Sequence, residues 1–98
     1  MVADSHWTFL SNHGHVLVAI ALDPEARVRD LAARVGITER AVQKIVGELV
    51  QQGFVVRRKT GRRNCYEIVP ETHLRHPLES EVTVGEFTRA LVRTKAFS

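Results

Sequence analysis

The side chains best equipped for chemistry are Thr38, Glu39, Arg40, Gln43 and Lys44, gathered at the start of one amphipathic stretch. Arg and Gln each carry a planar group that makes paired hydrogen bonds, to the edge of guanine and of adenine respectively. Lys44 suits a base or a phosphate, and Glu39 lies where it can tune the site or answer a helix dipole. Arg40, Gln43, Lys44 and Gly47 recur at i, i+3, i+4 and i+7, a polar stripe on a 3.6-residue period. A mid-helix glycine costs about 1 kcal/mol against alanine. Its place on that stripe suggests that something bulky, a DNA backbone or another helix, approaches there. A second cationic group follows: Arg57, Arg58, Lys59, Arg62 and Arg63 fall within seven positions. Charge so concentrated on a turn fits phosphate or minor-groove contact. The plainer reading is an edge hairpin that uses cations to resist aggregation. Its position directly after the polar helix favours nucleic acid.

These residues need elements to present them. Val42, Ile45, Val46, Leu49 and Val50 form an apolar stripe beside the polar one, so the stretch from Thr38 onward is a helix with one face for a core. Thr38 is a suitable N-cap and Gly53 a suitable C′ residue. Upstream, Val28, Leu31, Ala32 and Val35 give a shorter helix stopped by Gly36, and Ile37 plugs the angle between the two. An earlier helix, capped by Ser11 or Asn12, runs to about Leu22, where Asp23-Pro24 ends it. It is apolar nearly all round, which predicts burial on more than one side. One or two strand-like residues are expected around Val28. Phe54 to Val56 read as a strand, Lys59 to Arg62 as a turn and Cys65 to Val69 as the returning strand, ended by Pro70. After a polar, irregular stretch, Thr83 and Glu86 match a capping box. The helix they open carries Val84, Phe87 and Leu91 on one stripe, with Arg93 and Lys95 near its end, where cations answer the dipole. Trp7 and Phe9 are large for the start of a chain and are expected to dock somewhere; Met1 to Ser5 are expected to fray.

At 98 residues the chain is one domain, large enough to bury a core without metals or disulfides. Charge is distributed unevenly. Arg27 to Arg63 holds ten Lys/Arg and three acids, net +7, while the remainder is net −4. A basic middle between acidic ends points to one face made for a polyanion. The single cysteine, Cys65, excludes an internal disulfide and fits a reducing compartment. The apolar run Val16 to Leu22 is too short to span a bilayer, and no basic leader precedes it. A cytoplasmic protein with no membrane partner is expected. There is no glycine-rich phosphate loop, nucleophile motif or carboxylate cluster, so an enzyme is not expected. His13 and His15, or His73 and His76, are conceivable zinc ligands with Cys65 more remote, but exposed or satisfied histidines are the simpler reading. No cofactor is expected.

Helix, helix, helix, hairpin is the order of a winged helix-turn-helix. From about Phe9 to Ile68 the chain resembles bacterial winged-helix regulators of the MarR and ArsR type, through DLAARVGIT, AVQKIVGELVQQGFV and the GRR-x-x-Y-E-I hairpin. The resemblance implies a mainly α fold with a small β-hairpin (α+β) and a dimeric transcription factor acting on double-stranded DNA. It also bears on metal: where some ArsR-type relatives carry paired cysteines, this chain has Arg27 and Arg29. The expected organisation is a DNA-binding unit over residues 1–70. Residues 71–98 supply a linker and a helix that dimerises, in the same compact body. Trp7, Phe9, Val84, Phe87 and Leu91 are the expected dimer residues of a homodimer. The competing function is a winged helix that binds protein or RNA, since the fold alone decides neither.

Overall fold

The computed structural model describes residues 7–96, with side chains to residue 92. The expected fraying of Met1 to Ser5 and the dipole role of Arg93 and Lys95 lie outside those residues and side chains. Four helices and one hairpin follow in the order α1 (Asn12–Leu22), α2 (Val28–Val35), α3 (Glu39–Gln51), β1 (Val55–Thr60), β2 (Arg63–Ile68) and α4 (Val84–Ala96).

Local chemistry sets the boundaries. The Ser11 hydroxyl faces the Gly14 N–H at the start of α1, and the Thr38 hydroxyl accepts the Ala41 N–H at 3.0 Å to start α3. Gly36 ends α2 in the left-handed region at φ 89°, and Gly53 follows α3 at φ 81°. Thr83 and Glu86 form the reciprocal box that opens α4: the Thr83 N–H donates to the Glu86 carboxylate at 3.0 Å, and the Glu86 N–H donates to the Thr83 hydroxyl at 3.1 Å. The first of these bonds, joined by the Thr83 hydroxyl, holds the Glu86 carboxyl below the usual glutamate range.

Two expectations are corrected here. No strand forms around Val28: that residue opens α2, because Arg27 turns from extended backbone straight into the helix. What remains of a third strand is one long hydrogen bond, from the Tyr66 N–H to the Pro24 carbonyl at 3.4 Å. The hairpin strands are also longer than the predicted apolar segments. Thr60 pairs with Arg63, leaving only Gly61 and Arg62 in the loop. Gly61 sits at φ 65°, as the tight loops that match strand twist require.

The core gathers around α1, which packs against α2, α3, α4 and β2. Its Val16 and Ile20 meet Leu31 from α2, Val42, Val46 and Leu49 from α3, Val55 and Tyr66 from the hairpin, and Val84 from α4 in one buried cluster. A helix apolar nearly all round is thus buried on several sides within one protomer. The connection from β2 to α4 is tied at both ends. The Thr72 hydroxyl donates to the Gly53 carbonyl at 2.7 Å, and the Val84 and Gly85 N–H groups donate to the Thr72 and Pro70 carbonyls. Gly85 lies so close to Pro70 that an added Cβ would stand 2.8 Å from the prolyl Cβ.

Candidate nucleic-acid interface

Burying the apolar face of α3 turns its other stripe outward. Val42, Ile45, Val46 and Leu49 are buried, while Glu39, Arg40, Gln43, Lys44 and Gly47 are all exposed. Arg40 and Gln43 meet no hydrogen-bond partner among the described residues, so their paired donors and acceptors remain free for a ligand. Thr38 is exposed too, but its hydroxyl is engaged as the helix cap. No atom lies within 4 Å of where a Gly47 Cβ would stand, so nothing within the described protomer demands glycine there. Of the two neighbours the sequence suggested, a helix packed against Gly47 inside the protomer is excluded.

Directly after Gly47, Glu48 meets His13 of α1 at 2.6 Å. That hydrogen bond holds the Glu48 carboxyl below the usual glutamate range, with a smaller contribution from the charge of Lys44.

The hairpin cations occupy unlike environments. Arg57 lies over the Tyr66 ring, 5.9 Å from its centroid. Arg58 pairs with Glu67 across the strands. Lys59 and Arg62 are exposed at the tip. Arg63 is folded back: its guanidinium donates to the Glu25 carbonyl, and its Nε is buried without an acceptor among the described residues. Beside it is a cavity of about 340 Å³ lined by Arg27, Val28, Arg63, Asn64 and Tyr66. Sequence reasoning missed the grouping of Arg27 with Asn64. No local spacing joins residues so far apart; only the hairpin's return past the start of α2 does.

The expected dimer residues divide. Val84 is fully buried in the protomer's own core, and Phe87 packs against that core, so the first turns of the α4 stripe are satisfied internally. Trp7 and Phe9 do not dock on the described protomer. They touch each other edge-on, 5.8 Å between ring centroids, and are 73% and 95% exposed. Leu91 is exposed as well.

The histidines go separate ways. His73 Nδ1 lies 2.8 Å from the Ser80 carbonyl, and His76 accepts the Leu78 N–H. Among the described residues, no three His, Cys, Asp or Glu side chains gather to hold a metal ion. No described helix is long and apolar enough to cross a membrane.

Three helices with the third presenting a free polar face, followed at once by a basic two-stranded hairpin and then an added helix, define a winged helix-turn-helix. Residues 8–63 match the model of the MarR family, and the chain belongs to that family of transcriptional regulators, which are not enzymes. No curated protein matches the chain in sequence. Among solved structures it is similar to the PcaV transcriptional regulator from Streptomyces coelicolor, determined with its natural ligand. That likeness has TM-score 0.58 at 20% identity, covering 87% of this chain and 62% of that one. It is also similar to AdcR, a zinc-dependent MarR family regulator in its Zn(II)-bound state, with TM-score 0.52 at 17% identity, covering 95% of this chain and 63% of that one. The chain therefore spans about three fifths of the length of each regulator.

Proposed function

We propose that the protein binds double-stranded DNA sequence-specifically as a homodimer. In this reading Arg40, Gln43 and Lys44, flanked by Thr38 and Glu39, face base edges in the major groove. Arg57, Arg58, Lys59, Arg62 and Arg63 serve the backbone or minor groove. The observation that carries it is the exposed Arg40–Gln43 pair, without side-chain partners among the described residues, on a helix whose opposite face is anchored in the core. A rigid helix with free bidentate groups is what base readout requires. The net +7 between Arg27 and Arg63 supplies attraction to phosphate.

The dimer reading rests on apolar surface left uncovered: Trp7, Phe9 and Leu91, beside the first helix and the partly buried Phe87. Twofold pairing through these residues and α4 would set two recognition helices one DNA turn apart, about 34 Å, and favour a palindromic site.

Selection from a random duplex pool, followed by salt titration of the selected site, tests the DNA reading. A preferred sequence and a steep loss of affinity with salt are expected. Equal binding to all sequences would overturn base readout, and no binding at low salt would favour a protein or RNA partner instead. Sedimentation of the full chain tests the dimer, which a monomer at about tens of micromolar would sink.

A further inference from the structure

The cations of β1 run directly into a hydroxyl. Thr60 closes the strand, and Arg57, Arg58 and Lys59 fill the three positions before it. No other Ser or Thr in the chain has more than one Lys or Arg in the three positions preceding it. We propose that Thr60 is a phosphorylation site for a Ser/Thr kinase that selects basic residues ahead of its target, and that the phosphate switches off the wing's hold on DNA. The switch rests on the DNA reading; the modification does not.

The hydroxyl is accessible and uncommitted. Thr60 is exposed, directly before the Gly61-Arg62 loop. Among the described residues its oxygen meets the Cys65 thiol, a weak donor, at 3.6 Å, and its own proton has no acceptor. Other hydroxyls have structural work. Thr8, Thr72 and Ser80 donate to backbone carbonyls, Ser11, Thr38 and Thr83 cap helices, and Thr88 is buried. A kinase base can take the Thr60 proton without breaking an internal bond.

The backbone is also presented in a usable form. The sheet has two strands, so β1 is paired along one edge and open along the other. Alternation along the strand sends Arg57 and Lys59 to one side, Arg58 and Thr60 to the other. Past Val55 the strand is exposed throughout, so an acidic substrate groove can clasp it from the open edge with the core intact.

The co-reactant is ATP. The bond from Thr60 Oγ1 to the γ-phosphorus forms as the bond from that phosphorus to the β–γ bridging oxygen breaks. ADP leaves, and the hydroxyl proton passes to the kinase's carboxylate base. The product carries about −1.5 to −2 at neutral pH, with three strong acceptor oxygens. Lys59 and Arg62 are exposed within two positions of it, and Arg58 shares its side of the strand. Glu67 already holds Arg58 within the hairpin, and a phosphate extends that capture to the tip. Donors filled in this way are lost to a duplex backbone.

The full chain is incubated with ATP and the catalytic subunit of cyclic-AMP-dependent protein kinase, which selects basic segments, and the label is placed by peptide mass. Parent, Arg57→Ala, Thr60→Val and Thr60→Ser are compared. Labelled and unlabelled parent are then titrated with duplex over a salt series, beside Arg62→Ala. One phosphate at position 60 is expected in the parent and in Thr60→Ser, and none there in Thr60→Val. Arg57→Ala should take it up about tenfold more slowly, the effect of losing one charged contact. Labelled protein should bind every duplex more weakly, with a log–log salt slope shallower by up to about 1.8, two contacts at about 0.9 each. Thr60→Val should bind like the unlabelled parent before and after treatment. No phosphate on Thr60, equal incorporation in Thr60→Val, or a parental rate for Arg57→Ala would overturn the site. Labelled protein with parental affinity and slope, while Arg62→Ala is impaired, would overturn the switch and leave the DNA reading standing. A parent that accepts phosphate at Thr60 yet binds no duplex at low salt would remove the DNA reading, and the switch with it.

Discussion

Helix α3 and the hairpin that follows it are both rich in cations, yet they hold them differently. On α3 one face is locked into the core, and Arg40 and Gln43 on the other are exposed, with no side-chain hydrogen bond among the described residues. On the hairpin, Arg57 lies over Tyr66, Arg58 pairs with Glu67 and Arg63 is bound to the Glu25 carbonyl, leaving Lys59 and Arg62 exposed at the tip. A count of arginines would rank the hairpin as the stronger interface. The contacts differ otherwise: α3 leaves Arg40 and Gln43 exposed, and the hairpin uses part of its charge to hold its own shape.

This contrast can be broken at several points. The largest effect is expected at the anchored face of α3. Leu49 is 2% exposed, and Leu49→Ala should cost about 2–5 kcal/mol in denaturant unfolding. Unchanged stability would mean the polar face is not held rigid. Next, Arg40→Ala or Gln43→Ala should remove about 1–3 kcal/mol of preference for the selected site over a mismatched one. Arg62→Ala should weaken every sequence alike; if it altered preference as strongly as Arg40→Ala, the division between the two regions would fail. Gly47→Ala should raise stability by about 1 kcal/mol, because the added methyl meets nothing within 4 Å and removes a helix penalty. A simultaneous loss of DNA affinity would show that a duplex backbone passes over that position, and unchanged affinity would remove that explanation. Glu67→Gln should release Arg58, tighten binding to all duplexes modestly and steepen the log–log salt slope by up to about 0.9, one phosphate contact's worth.

The smallest effect concerns Glu48. The hydrogen bond from His13 lowers its carboxyl pKa in the folded state, so the bond's contribution is present at neutral pH. It is lost as pH falls from the ordinary glutamate value through the lowered one. A His13→Ala variant should therefore melt below the parent at neutral pH by a margin that vanishes in acid, as thermal scans over that range would show. Both side chains are about half exposed, so the margin will be slight.

Much of the fold was legible because its signals are local. The Thr38 cap, Gly36, Gly53 and the Thr83–Glu86 box each work within a few residues, and all appear where the spacing put them. The apolar stripe of α3 was equally plain. What escaped was settled at a distance. The strand expected at Val28 would have needed a ladder to the hairpin, and only one long bond from Tyr66 forms. Trp7 and Phe9 have the composition of core residues but meet no core in the described protomer. Val84, grouped by periodicity with the exposed Leu91, lies wholly beneath α1 and its neighbours. For the wing, the sequence showed which residues carry charge. It could not show that Glu67 and the Glu25 carbonyl hold two of them.

The close seat of Gly85 on Pro70 has a mechanical consequence. Where two backbones touch with no room for a methyl group between them, a helix cannot tilt freely about its first turn. It must push on the residue beneath. Pro70 follows β2 by two positions, and Thr72 is fastened to the carbonyl just beyond α3. A torque applied to the far end of α4 would reach the hairpin and the end of α3 together, through a joint that has almost no play.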